Sequence, residues 1–390
     1  MPNVAKVAVR AFAVAILLCS AVSAQAQSAF YRASPAEIAG PPGTLIRQEP
    51  MPRTLEGADA YRVLYRSTGL QNEPVAVSGV VIVPPGPAPS AGRPIIAWAH
   101  PTTGVVPRCA PSLALFIYQQ IQGLREMVNR GYVIAATDYP GLGTPQTHPY
   151  LVGVSEARAV LDSVRLARTL TGTQNRFAVW GHSQGGQAAL FTGLIAKAYA
   201  PDLDLVGVAA AAPATDLGTL LGDDINSSGG RNLTAMTLWS WSRLFGAPMD
   251  RVLDPSAVPI VDRLADECIE SIYDILQRRN TAAPLERKFL AVSNFYTAEP
   301  WRSLMASNSP DPLPPNGPLF LAQSGADELV RPQVTEAYMQ RVCRAGGKAQ
   351  LLLLPAANHG FIARDAAVAA VEWMTDRFAG FPAPSSCDRP

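Results

Sequence analysis

The sequence predicts an α/β fold: a mostly parallel sheet flanked by helices, with a helical domain inserted late in the chain. Three observations carry this. Short, nearly all-apolar runs such as 94–100 and 131–138 suit strands covered on both faces. They alternate with longer stretches whose apolar residues recur at helical spacing, as Val160, Val164 and Ala167 do within 155–170. The rhythm stops after an apolar run at 203–212 and resumes only at Pro318, a gap too long for a structureless loop in a compact domain.

Taken in order, Lys6 and Arg10 precede an apolar stretch at 11–22 and a small-x-small site, Ala24-Gln25-Ala26. Residues 1–26 therefore read as a signal peptide, and export to the periplasm or the exterior is expected. That stretch is too short to span a bilayer, and no later one could. Cys19 follows Leu18 where a lipid-anchor signal needs a small residue. Residues 27–55, rich in Pro, Ala and Gly, are expected to wrap the surface. Strands are predicted at 60–68, 74–84, 94–100 and 131–138, and helices at 113–129 and 155–170.

Phe177 to Trp180 then leads as a buried strand into Gly181-His182-Ser183-Gln184-Gly185, and a helix follows from Gln187. After the strand at 203–212, residues 214–308 are expected to form a helical lid, with Ile260, Leu264, Cys268, Ile272, Ile275 and Leu276 repeating every three to four residues. The core is assigned to 27–213 and 309–390, the Pro-rich 309–318 returning the chain to it. Strands at 318–324 and 349–355 and a helix at 366–378 close the fold.

The five-residue G-x-S-x-G match gains its meaning from its flanks. Strand, tight turn and helix form a nucleophile elbow, in which glycines two residues either side of the serine remove clashes. Ser183 is the expected nucleophile. A serine hydroxyl needs a positioned base, which in turn needs an orienting acid. With only four histidines, elimination works. His182 adjoins the serine and should point away from it. His148 sits in a loop with no evident partner, and His100 ends a strand where an oxyanion loop belongs. His359 directly follows the last strand and is the expected base.

The acid should follow the preceding strand. Asp327 fits there, with Glu328 a solvated neighbour and Asp216 the alternative. The chain order Ser183, Asp327, His359 is that of an α/β-hydrolase. Oxyanion donors are expected from the N–H of Gln184 and from the 100–104 loop, where Pro101 has none and Thr102 is preferred to Thr103. Asp138 is read as a brace for the 139–143 loop. A near repeat of the motif, Gly153-Val-Ser-Glu-Ala157, lacks a leading strand, so Ser155 reads as a helix N-cap.

Composition excludes other classes. A net charge of +1 with no long basic run leaves no footprint for nucleic acid. Beyond Cys19, the four cysteines Cys109, Cys268, Cys343 and Cys387 suggest two disulfides, with three possible pairings. None has zinc-ligand spacing, and no metal or cofactor is expected.

The chain resembles the secretory lipase family, α/β-hydrolases of the yeast lipase A type. The likeness lies in Gly181-His-Ser-Gln-Gly-Gly186, His100-Pro-Thr-Thr-Gly104 with Cys109-Ala-Pro-Ser112, Asp138-Tyr-Pro-Gly-Leu-Gly143, Gly325-Ala-Asp-Glu-Leu-Val330 and Asn358-His-Gly360. It implies a serine ester hydrolase with a helical lid, and it supports the Ser183, Asp327, His359 assignment. It also implies pairing Cys109 with Cys268 and Cys343 with Cys387. The departure is Pro101, where related bacterial members tend to carry glycine.

The expected function is a secreted carboxylic-ester hydrolase acting on lipid or other hydrophobic acyl esters, with transient lipid-interface contact. Leu233, Trp239, Trp241 and Phe245 are candidates to line an acyl tunnel, or else form the lid's own core. The alternatives are an acyltransferase on the same scaffold, a serine peptidase, and a non-catalytic lipid-binding protein.

Overall fold

The computed structural model describes residues 29–387, so the stretch read as a signal peptide lies outside the described residues. Nine strands form one sheet: β1 (Leu45–Met51), β2 (Asp59–Thr68), β3 (Pro74–Val83), β4 (Ile95–Ala99), β5 (Val133–Thr137), β6 (Arg176–His182), β7 (Asp204–Ala211), β8 (Leu319–Ser324) and β9 (Ala349–Leu354). Their order is β1-β2-β3-β5-β4-β6-β7-β8-β9. The pairs up to β3–β5 are antiparallel, and from β5 through β9 every pair is parallel.

Strands β4 and β5 are buried along their whole length, which explains their unbroken apolar sequence. Alternate residues feed two cores. Trp98, Ile134, Trp180 and Phe320 face one side, under the helices Leu124–Asn129 and Ile362–Phe378 and the insertion. Val133, Val179 and Leu321 face the other, under Gly153–Thr171, Gln184–Tyr199 and Pro332–Arg344.

Three sequence expectations change. Residues 27–55 do not simply wrap the surface, because Leu45–Met51 pairs with β2 as an edge strand. Pro50 within it is tolerated because an edge strand need not donate on its outer side. The predicted helix at 113–129 is two short helices, Ile117–Gln120 and Leu124–Asn129, separated at Gly123 with φ 83°. The stretch from 260 to 276 is not one continuous repeat. The helix Val258–Asp266 buries Leu264, the chain breaks, and the helix Ile272–Ala282 leaves Ile272, Ile275 and Leu276 exposed.

The segment between β7 and β8 is otherwise helical, with Leu217–Asp224, Ser228–Phe245 and Trp301–Ser307 completing it. Trp241 anchors it. Its ring lies near-parallel to Trp301 at 6.4 Å, and its Nε1–H donates to the Tyr150 carbonyl at 2.8 Å. Cys109 is joined to Cys268, tying a core loop to this segment, and Cys343 to Cys387, tying the helix Pro332–Arg344 to the C-terminal stretch.

Candidate active site

The parallel strands deliver their ends to one edge of the sheet, where the site is built. Strand β6 turns sharply at Ser183, whose φ of 56° and ψ of −117° lie where a non-glycine residue is strained. The turn is possible only because its neighbours lack side chains. A Cβ on Gly181 would stand 2.0 Å from the Gly185 carbonyl oxygen, and one on Gly185 would stand 1.9 Å from that of Ala99. The Ser183 N–H donates to the Ala211 carbonyl at 2.9 Å, fastening the elbow to β7.

Ser183, His359 and Asp327 are brought together. The His359 ring lies with Nε2 2.9 Å from Ser183 Oγ and Nδ1 2.9 Å from Asp327 Oδ2. Asp327 is buried, and its other oxygen accepts the N–H groups of Leu329 and Val330 at 2.9 and 3.0 Å. A carboxylate only accepts, so Nδ1 carries the ring hydrogen and Nε2 keeps a lone pair toward the serine hydroxyl.

The other predicted residues fall elsewhere. Glu328 is exposed. Asp216 caps the helix Leu217–Asp224 through Thr219, far in role from any acid. Asp138 is buried and accepts from Ser78 Oγ at 2.6 Å and from Ser112 N at 2.9 Å and Ser112 Oγ, so it braces those serines more directly than the 139–143 loop. Burial pushes its carboxyl up to about 6. Ser155 is not an N-cap. The helix begins at Gly153, Val152 holds the cap position, and Ser155 Oγ is buried without a hydrogen-bond partner among the described residues.

His182 makes no hydrogen bond to the serine among the described residues; its ring donates from Nε2 to the His359 carbonyl. Burial pulls its pKa down to about 3, so the ring is neutral. His148, which seemed to lack a partner, is buried between the Pro140 carbonyl at 2.8 Å and the Gln184 amide at 3.2 Å. Only the folded chain reveals this, because its partners are 8 and 36 residues away.

The N–H groups of Gln184, Thr102 and Thr103 have no acceptor among the described residues. Thr102 Oγ1 pairs with the Tyr150 hydroxyl at 3.0 Å, and the Thr103 carbonyl accepts the Ile269 N–H at 2.7 Å. A cavity of about 270 Å³ opens over Ser183 and His359. Trp98, Ile117, Leu233, Ile269 and Leu329 give it apolar walls, and Gln120, Gln122 and Glu270 add polar groups. Of the four candidate tunnel residues, Leu233 alone lines it. Trp241 is core, Trp239 is covered by the Arg243 guanidinium at 3.9 Å, and Phe245 packs edge-on against Trp241 at 6.3 Å.

A serine at such an elbow, hydrogen-bonded to a histidine held by a buried aspartate, is the equipment of acyl transfer. A family model described as secretory lipase matches residues 112–386. The chain belongs to the secretory lipase family. A Mycobacterium tuberculosis protein described as a probable inactive lipase is 23% identical, covering 87% of this chain and 79% of its own. Lipase A of Arthroderma benhamiae is 24% identical, covering 92% and 80%. The X-ray structure of Candida antarctica lipase A superposes with a TM-score of 0.78 at 18% identity, covering 92% of this chain and 87% of that one. This secretory lipase family member is a carboxylic ester hydrolase on the α/β-hydrolase fold. No helix among its described residues is long and apolar enough to cross a membrane.

Proposed function

We propose that the protein is an exported serine hydrolase that cleaves hydrophobic acyl esters through an acyl-enzyme on Ser183. The observation that carries this reading is the hydrogen-bonded chain Ser183–His359–Asp327 beneath a largely apolar cavity. The description of one relative as inactive makes the completeness of the site, rather than family membership, the argument.

In the proposed reaction, His359 Nε2 takes the Ser183 proton as Oγ attacks the ester carbonyl. Asp327 stabilises the imidazolium and holds its orientation. The oxyanion is received by the Gln184 N–H, at the start of its helix, and by the Thr102 N–H across the cavity. Collapse breaks the carbonyl–oxygen bond, His359 returns the proton to the departing alcohol, and water repeats the sequence to release the acid.

Two disulfides suit an oxidising compartment, consistent with export. Leu115 and Phe116, exposed by 86% and 59%, precede Ile117 of the cavity wall, and Ile272 and Tyr273 follow closely on Ile269 and Glu270. These exposed apolar side chains, chain neighbours of cavity-wall residues, support transient contact with a lipid surface. Hydrolysis of p-nitrophenyl esters from acetate to palmitate, beside the Ser183→Ala variant, tests the reading. Activity lost in the variant is expected, and turnover retained by a folded Ser183→Ala protein would exclude Ser183 as the nucleophile.

A further inference from the structure

Behind the elbow lies a buried polar cluster that the reaction as written does not use. Glu156 is fully buried on the helix Gly153–Thr171 and takes part in no ion pair among the described residues. Its Oε1 accepts the Gln184 side-chain amide at 2.7 Å and the Leu151 N–H at 3.1 Å, while Oε2 has no partner there. The same Gln184 nitrogen faces His148 Nε2 at 3.2 Å, and His148 Nδ1 faces the Pro140 carbonyl at 2.8 Å.

The directions of these bonds follow from chemistry. A carbonyl accepts only, so His148 carries its hydrogen on Nδ1 and presents a lone pair at Nε2. The atom of Gln184 facing that lone pair is therefore the NH2 group. Its two hydrogens are divided between His148 and Glu156, and the side chain is tethered to two separate elements. Gln184 is also the first residue of its helix, and its backbone N–H has no acceptor among the described residues. The strained Ser183 conformation just before it persists only where its surroundings over-determine it.

Resting on the reading of Ser183 as nucleophile, we propose that Glu156, together with His148, is a positioning residue that fixes Gln184 as oxyanion donor and acts in its neutral form. An ionised carboxylate behind that peptide would oppose the negative charge developing in front of it, in a region where water cannot screen the pair. The titratable groups around the cluster offer no compensating charge. Tyr139 is held neutral by burial, and burial lowers His148 to about 3 and His100 to about 4. Burial pushes Glu156 itself up to about 8, so it is largely protonated at neutral pH and ionises just above it.

The test compares wild type, Glu156→Ala and Glu156→Gln across pH 6 to about 10, with kcat expressed per site titrated by a fluorophosphonate. Glu156→Ala is expected to lose about tenfold to a hundredfold in kcat with KM nearly unchanged, somewhat less than deleting an oxyanion donor outright. Glu156→Gln keeps a neutral acceptor in place and is expected to recover most of that loss. It should also lack the fall in activity above about pH 8 that is expected of the wild type. Wild-type kcat per titrated site in Glu156→Ala, or an alkaline fall unchanged in Glu156→Gln, overturns the proposal. If Glu156→Ala does not fold, the pH profile of Glu156→Gln decides alone. Failure of the nucleophile reading shows differently, as a wild type that takes up no fluorophosphonate at Ser183.

Discussion

His182 donates from Nε2 to the backbone carbonyl of His359 across 2.9 Å, so the residue preceding the proposed nucleophile holds the main chain of the proposed base. The two rings lie 5.0 Å apart by their centroids. One stretch of the elbow thus sets both partners of the proposed proton transfer. His182→Ala frees the 359 backbone while leaving the imidazole of His359 in place. A fall of about tenfold to a hundredfold in kcat is expected, the scale of a misplacement near 1 Å. Kinetics on p-nitrophenyl butyrate read it, and an unchanged kcat would show that β9 alone positions His359.

Asp327→Asn keeps an oxygen for the Leu329 and Val330 N–H groups but turns an NH2 toward His359 Nδ1. The ring must then carry its hydrogen on Nε2, where it can no longer accept the serine proton. The expected loss in kcat is about 10⁴-fold, with melting behaviour close to wild type.

Gly185→Ala places a methyl group 1.9 Å from the Ala99 carbonyl, and backbone cannot rotate away as a side chain can. Destabilisation of about 3 kcal/mol is expected, the upper end for overpacking. A lowered urea midpoint is the readout, and wild-type stability would mean that β4 yields more easily than its full burial suggests.

Converting Ile272 and Tyr273 together to Ser removes two side chains, each 72% exposed, that follow closely on Ile269 and Glu270 of the cavity wall. About tenfold less activity is expected on an emulsified triglyceride, given about 1.5–3 kcal/mol for burying one large apolar side chain. Turnover of soluble p-nitrophenyl acetate should not change. Equal losses on both substrates would show that these residues shape the cavity rather than meet an interface.

Glu156 also predicts a slope in stability. Its carboxyl is raised from 4.5 to about 8 in the folded chain, so between those values the folded state keeps a proton that the unfolded state has released. Stability on this account falls as pH rises from about 4.5 to about 8 and levels off above. Glu156→Gln should flatten that part of the profile, read as urea midpoints at a series of pH values.

The sheet was legible where strands are buried on both faces, since 94–100 and 131–138 can scarcely be anything else. The three residues that meet at the site were legible for a related reason. In a parallel sheet, the residue just past a strand end falls at a known edge, so order along the chain stands in for proximity. Elements whose identity depends on a neighbour stayed hidden. Strand β1 shows little alternation and contains Pro50, and it is a strand only because β2 presents a free edge. The Ile272, Ile275 and Leu276 spacing looks like a core stripe, yet it faces outward because the chain breaks ahead of it. Glu156 sat in a near repeat of the serine motif read as structural and His148 in a loop with no evident partner, since what they do lies in contacts with a residue 28 and 36 positions away.

The helical segment between β7 and β8 is fastened to the core by a covalent bond and by several hydrogen bonds. Cys109 holds Cys268 on one side, and on the other Trp241 grips the Tyr150 carbonyl while the Tyr150 hydroxyl meets Thr102. A rigid swing about the disulfide would cost the Trp241–Tyr150 hydrogen bond, or carry Tyr150 and its contact to Thr102 along with it. The segment and the loop carrying Thr102 are therefore mechanically coupled, so a displacement of one is passed to the other.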